Sequence, residues 1–220
     1  MERKVIVTAD GSSTIHISEW DENYHSKHGA IQEAKHVFIK SGLSLFSNAD
    51  ISILEIGFGT GLNSFITFLE AERFKLTINY VGVEAYPVSF EEVNCLNYVT
   101  QLEATEFEAV FNKMHQQKWE IKADITPNFS LTKRQQFFND IDDVNAFNLI
   151  YFDAFGARVQ PELWTEEIFQ KMYTALKTNG VLVTYSAKGS VRRALQTVGF
   201  LVEKLPGPPG KREMLRATKK

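Results

Sequence analysis

Short apolar runs that alternate with longer segments of helical spacing constrain this chain more than any other feature. Residues 51–56 (ISILEI), 78–83 (INYVGV), 147–152 (FNLIYF), 180–185 (GVLVTY) and 200–205 (FLVEKL) read as buried strands, with 129–132 (FSLT) a weaker sixth. Between them, 62–74, 88–98, 103–116, 165–176 and 190–198 carry apolar residues at the helical period. Strands and helices alternating at these lengths imply right-handed crossovers. The expected fold is therefore α/β, a mostly parallel sheet with helices on both faces. Residues 30–40 (AIQEAKHVFIK) add an earlier helix with Ala30, Ala34, Val37 and Phe38 on one stripe, so the core sheet is expected to start about fifty residues in. Residues 206–210 (PGPPG) can be neither helix nor central strand, because three prolines remove donors and fix φ. After that loop, 214–217 is expected to return as a last, antiparallel strand.

At 220 residues and 44% hydrophobic, the chain has material for one sizeable core. The expectation is a single domain over 1–220, with 1–50 an N-terminal extension and helix and 51–220 the core. No run approaches the roughly 18 apolar residues of a membrane span, and the first residues lack the apolar region of a signal peptide. The single cysteine, Cys95, excludes an internal disulfide and a cysteine-cluster metal site, and it fits a reducing, cytoplasmic compartment. His16, His25, His28, His36 and His115 lack convergent metal spacing, and His28 is expected as a pocket wall rather than a base.

The glycine-rich turn 57–61 (GFGTG) joins the strand 51–56 to the helix beginning at Leu62. Glycines there admit positive φ and close approach of a ligand, and the helix start offers free N–H groups. A dinucleotide fingerprint would need glycine at 57, 59 and 62, but position 62 is Leu62 and the third glycine is Gly61. Glu55-x-Gly57-x-Gly59-x-Gly61 instead resembles the loop of class I S-adenosylmethionine-dependent methyltransferases, whose fold is Rossmann-like. The bland alternative is a turn shaped only for tight strand-to-helix packing. Glu84, closing the strand 78–83, stands where an acid can accept both hydroxyls of a ribose, its alternative being a surface carboxylate in a turn. The strand 147–152 delivers Asp153, Ala154 and Phe155 to the same edge. There Asp153 could hold an amine and Phe155 could stack on a base or close the pocket, unless Asp153 merely satisfies loop amides and Phe155 is core. Methyl transfer rests mostly on positioning, but an amine nucleophile must first lose a proton, which a carboxylate can assist.

The formal net charge of −3 is unevenly spread. Residues 177–220 hold ten basic and two acidic side chains, or +8, and 1–176 hold 14 and 25, or −11. Lys188, Arg192 and Arg193 at the start of the helix 190–198, with Lys211 and Arg212 after the proline loop, are expected to share one face beside the mouth formed by 57–61 and Asp153, and to contact nucleic acid. Solvated surface charge is the alternative, and it is the reading adopted for Lys219 and Lys220.

Several segments together resemble one family, the methyltransferase domain of the bacterial enzyme that makes 5-methylaminomethyl-2-thiouridine at the tRNA wobble position. They are Tyr24-His25-Ser26-Lys27-His28-Gly29-Ala30 with Glu33-Ala34-Lys35-His36-Val37-Phe38, the glycine turn through Asn63, and Asp153-Ala154-Phe155 followed by Gln160-Pro161-Glu162-Leu163-Trp164-Thr165. Gly180 to Tyr185, Val191-Arg192-Arg193-Ala194-Leu195, Gly199-Phe200 and Lys211-Arg212-Glu213-Met214-Leu215 complete the match. The resemblance implies S-adenosyl-L-methionine as cofactor, without flavin or metal. It implies cofactor contacts from Tyr24, Gly29, Glu33, Glu55, Gly57, Gly59, Thr60, Gly61, Asn63, Glu84, Gln135 and Asp153, and catalytic roles for Asp153 and Phe155. It further implies tRNA as partner through the anticodon region, a stand-alone monomer, no membrane, and separate enzymes supplying the aminomethyl precursor. Two departures stand out. Many relatives place Gly-Asp-Ala where the Asp helps hold adenine, whereas 130–136 (SLTKRQQ) offers no acid, so Gln135 is expected to substitute, with Asp124, outside a clear strand, as the alternative. Asp-Ala-Phe replaces the Asn/Asp-Pro-Pro-aromatic of many amino-methyltransferases, which argues against a generic exocyclic base amine. The competing readings are a small-molecule amine methyltransferase or polyamine synthase, and a non-catalytic RNA-binding scaffold of the same fold.

Overall fold

A computed structural model describes residues 2–220. The chain opens with β1 (Arg3–Val7), β2 (Ser13–Ile17) and β3 (Glu22–Asn23), which pair antiparallel in a small sheet of their own. This sheet was not expected from the sequence, because β1 alternates poorly and leaves Val5 and Val7 exposed. Helix α1 (Ala30–Ala34) follows and continues as a wider π-helical turn through Lys35–Lys40, in which Ser41 Oγ donates to the carbonyl of His36 at 2.9 Å. The core then runs β4 (Ala49–Ile56), α2 (Leu62–Phe74), β5 (Leu76–Val83), α3 (Phe90–Asn94), α4 (Tyr98–Gln101), α5 (Glu108–Gln116), β6 (Ala123–Thr126) and β7 (Phe129–Arg134). It ends with β8 (Phe147–Phe152), α6 (Glu166–Ala175), β9 (Leu176–Thr184), α7 (Gly189–Val198), β10 (Leu201–Pro206) and β11 (Glu213–Thr218).

The strands form one sheet in the order β10-β11-β9-β8-β4-β5-β7-β6. Neighbours from β9 across to β7 are parallel, whereas β11 lies antiparallel between β10 and β9, and β6 antiparallel beside β7. The expected mostly parallel sheet with an antiparallel last strand is thus present, with helices on both faces. Three local differences have local causes. The helix expected over 88–98 is broken into α3 and α4, α3 starting at a capping box in which Ser89 and Glu92 exchange side-chain and backbone bonds. The helix expected over 103–116 starts only at Glu108, because Glu103 is left-handed (φ 53°) and a 3-10 turn intervenes. Asp124, placed outside a strand by sequence, lies in β6, at the opposite end of the sheet from the glycine turn.

The period-2 rule of a strand distributes the core. In β4, Ile51 and Ile53 face α1, α2 and α5, while Leu54 and Ile56 face α6 and α7. In β8, Leu149 and Tyr151 take the first side, and Ile150 and Phe152 the second. Glu55 therefore points to the α2 side, where an apolar residue would be expected. The chain leaves β4 through α2 to reach β5 on one side, while β8 lies on the other, so a crevice opens at the carboxyl ends of β4 and β8. Gly82 in β5 makes room for the turn there, since a Cβ at that position would lie 2.3 Å from the ring of Phe58. Gly82→Ala is expected to cost about 1–3 kcal/mol in urea unfolding, and a loss below about 0.5 kcal/mol would show that Phe58 shifts freely.

Candidate active site

Each strand edge delivers one polar group to the crevice. The turn 57–61 is built from left-handed glycines, with φ of 88°, 50° and 72° at Gly57, Gly59 and Gly61. It lets Asn63, one residue into α2, face the ends of β4 and β8. The Asn63 amide Nδ2 donates to Glu55 Oε1 at 2.9 Å and to Asp153 Oδ2 at 2.8 Å, bridging two carboxyl groups. Tyr80 Oη donates to the other Glu55 oxygen at 2.8 Å. Burial raises the Glu55 carboxyl well above its usual range, the Asn63 and Tyr80 bonds opposing it. Burial, reinforced by the charge of Glu33, pushes Asp153 up to about 7, while the Asn63 bond and Lys211 act against that rise. The turn after Asp153 is clamped, with Tyr185 Oη donating to the Ala154 carbonyl at 2.8 Å and Trp164 Nε1 to the Phe155 carbonyl at 2.7 Å.

The cleft has two ends. Toward β5 and β7 it is lined by Glu84, Ala85, Tyr86, Phe137, Phe138 and Asn139. Glu84 accepts the Gly59 N–H at 3.1 Å and the Tyr86 N–H at 3.0 Å, and burial raises its pKa. Beyond Asp153 the lining passes to Trp20, Tyr24, Phe155, Gln160, Glu162 and Leu163. The Phe155 ring meets Trp20 and Tyr24 edge to face at 5.5 and 4.9 Å.

Of the residues expected from sequence, Tyr24, Gly57, Gly59, Asn63, Glu84, Asp153 and Phe155 line this cleft. Others face elsewhere. Gly29 packs on Asp10, where a Cβ would stand 2.6 Å from a carboxylate oxygen. Glu33 pairs with Lys211 and accepts the Ser26 N–H at 2.9 Å. Glu55 is fully buried behind Asn63, and the Thr60 hydroxyl turns into the core to accept from Tyr98 Oη at 3.0 Å. Gly61 backs onto the ring of His115. Gln135 is exposed, its N–H donating to Glu120 Oε1 at 2.6 Å, and Asn139 occupies the cleft in its place. His28 packs on Gly210 rather than walling the cleft, which His25 does instead, its pKa lowered to about 4 by burial.

The basic cluster is divided. Lys188, Arg193 and Arg212 are exposed. Arg192 Nε is buried without a hydrogen-bond partner among the described residues. Lys211 is drawn inward, its ammonium on Glu33 and 3.9 Å from the centre of the Tyr185 ring. Sequence reasoning missed Trp20, Asn139 and Phe137, which reach the cleft from segments whose pairing is not local.

The residues present suit a ligand that combines a ribose with a cationic amino-acid tail. Glu84 keeps lone pairs for ribose hydroxyls. A Cβ on Gly59 would stand 3.1 Å from the Tyr24 ring, so the glycine lets Tyr24 close over the turn. Asn63 Oδ1 is a buried acceptor without a partner among the described residues, beside Asp153. Residues 98–220, more than half of the chain, match a family described as S-adenosyl-L-methionine-dependent methyltransferases, and the chain belongs to that family. It is 30% identical over 219 residues to the tRNA 5-methylaminomethyl-2-thiouridine biosynthesis bifunctional protein MnmC of Leptospira interrogans (serovar copenhageni), and 28% identical over 216 residues to that of a Marinomonas species. The alignments take in 90% of this chain but 32% and 31% of those proteins, so the chain spans about a third of the length of the curated relatives it matches. The crystal structure of MNMC2 from Aquifex aeolicus superposes with a TM-score of 0.80 at 25% identity, over 100% of this chain and 70% of that one. Spermidine synthase from Thermotoga maritima shares the fold, with a TM-score of 0.55 at 16% identity over 99% of this chain and 73% of that one.

In the free protein, carboxyl NMR is expected to place the Asp153 titration near 7. Glu33→Gln should lower that midpoint and Lys211→Met should raise it, because the first removes a negative neighbour and the second a positive one. A midpoint near the ordinary 3.9 would refute this account of the site.

Proposed function

We propose that this protein methylates the primary amine of 5-aminomethyl-2-thiouridine at the tRNA wobble position, giving 5-methylaminomethyl-2-thiouridine. The observation that carries the reading is Asp153, a half-buried carboxyl at the carboxyl edge of the sheet, held by Asn63 and lining the cleft with Phe155. The names of the most similar relatives point to the same nucleoside. S-adenosyl-L-methionine, when bound, supplies an activated methyl group on a sulfonium. Its ribose is assigned to Glu84, its amino group to Asn63 Oδ1 and the carbonyls of the glycine turn, and its adenine to the end lined by Tyr86, Phe137, Phe138 and Asn139. The chain's own task is then positioning and one proton. Asp153, titrating near neutrality, accepts a proton from the substrate ammonium and leaves the nitrogen lone pair free to attack. Phe155, Tyr24 and Trp20 shield that nitrogen from water. Residues 1–50 and the core act as one domain in this reading, since Arg3 of β1 bonds the carbonyls of Tyr86 and Pro87 beside Glu84. The anticodon is the part of tRNA that docks, the aminomethyl precursor comes from separate enzymes, and the protein works as a monomer.

One observation favours a second reading, a small cationic amine as acceptor. Beyond the two acids already netted in the +8, Lys211 is paired with Glu33 and Arg192 Nε is buried. That leaves fewer free cations for a polyanion than the count suggests.

Protein, S-adenosyl-L-methionine and tRNA from cells lacking the modification are expected to yield the methylated nucleoside by mass spectrometry, and no methyl incorporation would sink the reading. Reversing Arg193 and Arg212 to Glu should lower activity on tRNA with a steep salt dependence, whereas a small-amine enzyme would be unaffected. Asp153→Asn should lower kcat by about 10²-fold or more. The kcat/KM of the wild type should rise with pH through about 7, as Asp153 loses its proton. A flat profile between pH 6 and 8 would remove Asp153 as the proton acceptor.

A further inference from the structure

The N-terminal region lines the cleft with Arg3, Ile17, Trp20, Tyr24 and His25, Arg3 beside Glu84 and Trp20 against Phe155. Trp20 closes a 3-10 turn (Ser18–Trp20), after which Asp21 is left-handed at φ 44°. The turn is tied to the opposite wall by one guanidinium. Arg158 Nη2 donates to the carbonyls of Trp20 and Asp21 at 3.1 Å each, and to Glu22 Oε2 at 3.0 Å. The indole is therefore held at a set distance from the loop that carries Phe155. Its edge-to-face contact with Phe155 is its one aromatic contact among the described residues, and the residue remains partly exposed. Gln160 stands beside it in the cleft lining, with its backbone N–H bound to the Gly156 carbonyl at 3.2 Å. A primary amide there offers one donor pair and one acceptor at fixed positions.

The same end carries Glu162, but the rings of Trp20, Tyr24 and Phe155 and the Gln160 amide make up most of it, and a flat heterocycle with an exocyclic arm uses such a lining. We propose that Trp20 and Gln160 form a nucleobase subsite that takes a single splayed-out pyrimidine, stacked on Trp20 with its polar edge on Gln160 and its aminomethyl arm directed at Asp153. This rests on the tRNA reading above and names the part of the RNA that enters the cleft.

The test uses the full chain. Wild type, Trp20→Ala and Trp20→Phe are compared for S-adenosyl-L-methionine affinity by calorimetry and for kcat/KM on aminomethyl-bearing tRNA, after circular dichroism has compared their melting. Loss of one stacked base should lower kcat/KM by about tenfold or more in Trp20→Ala, with Trp20→Phe recovering most of it and cofactor affinity unchanged. Unchanged kcat/KM in Trp20→Ala overturns the subsite, and so does an equal loss of cofactor affinity, which would place Trp20 in the cofactor pocket. Inactivity of the wild type on tRNA is a failure of the functional reading, and the subsite is then judged separately. Free 5-aminomethyluridine should quench the tryptophan fluorescence of cofactor-product-loaded wild type and not that of Trp20→Phe, and absence of that difference overturns it.

Discussion

The site depends on one side-chain amide. Two carboxyl groups, the buried Glu55 on β4 and Asp153 after β8, are brought together by adjacent parallel strands. Without that amide, Glu55 would keep only the Tyr80 hydroxyl and Asp153 would lose its Asn63 donor. Asn63 supplies both donors from a single Nδ2. An aspartate at that position would replace the shared donor with a third carboxyl, and a longer glutamine would overshoot. The glycine turn is therefore more than a ligand cradle, because its left-handed residues start α2 at the one register that aims position 63 between the two acids.

Because the amide satisfies only one oxygen of Asp153, that group remains the adjustable member of the pair. Glu55 has donors on both oxygens and lies deeper, and its burial outweighs them, raising its pKa well above the usual range. Asp153 lies at the cleft surface, where Glu33 and Lys211 act on it with opposite sign. Two carboxyl groups 2.8–2.9 Å from one nitrogen thus have separate tasks, one structural and one able to exchange a proton near neutrality.

The strand-edge residues could be read from sequence because a parallel sheet sends every strand's last residue to the same edge. Glu84 and Asp153 follow from counting along strands, and Asn63 from the glycine turn before it. Gly29, Glu33 and Gln135 carried family resemblance but no local rule that fixes where their side chains point, and none lines the cleft. Trp20 was out of reach for another reason. Its wall comes from short strands whose partners are set by tertiary contacts, and its anchor, Arg158, lies 138 residues away. The inward turn of Lys211 was hidden likewise, because a lysine in a basic run looks like solvated surface until its partner 178 residues away is known.

That pairing also revises the charge asymmetry. The −11 and +8 segments touch where Lys211 meets Glu33, and Lys211 stays within reach of Asp153. Even so, Glu84, Asp153 and Glu162 against Arg3 leave the cleft lining with an acidic excess. A cationic cofactor and an amine are at home there, and a phosphate backbone is not. Cations able to meet phosphates, such as Lys188, Arg193 and Arg212, are exposed outside the cleft lining. At physiological salt the field of such surface charges decays over about 8 Å. In the tRNA reading proposed above, these exposed cations would meet phosphates at the surface, while the acidic cleft would admit an uncharged ring with its cationic arm.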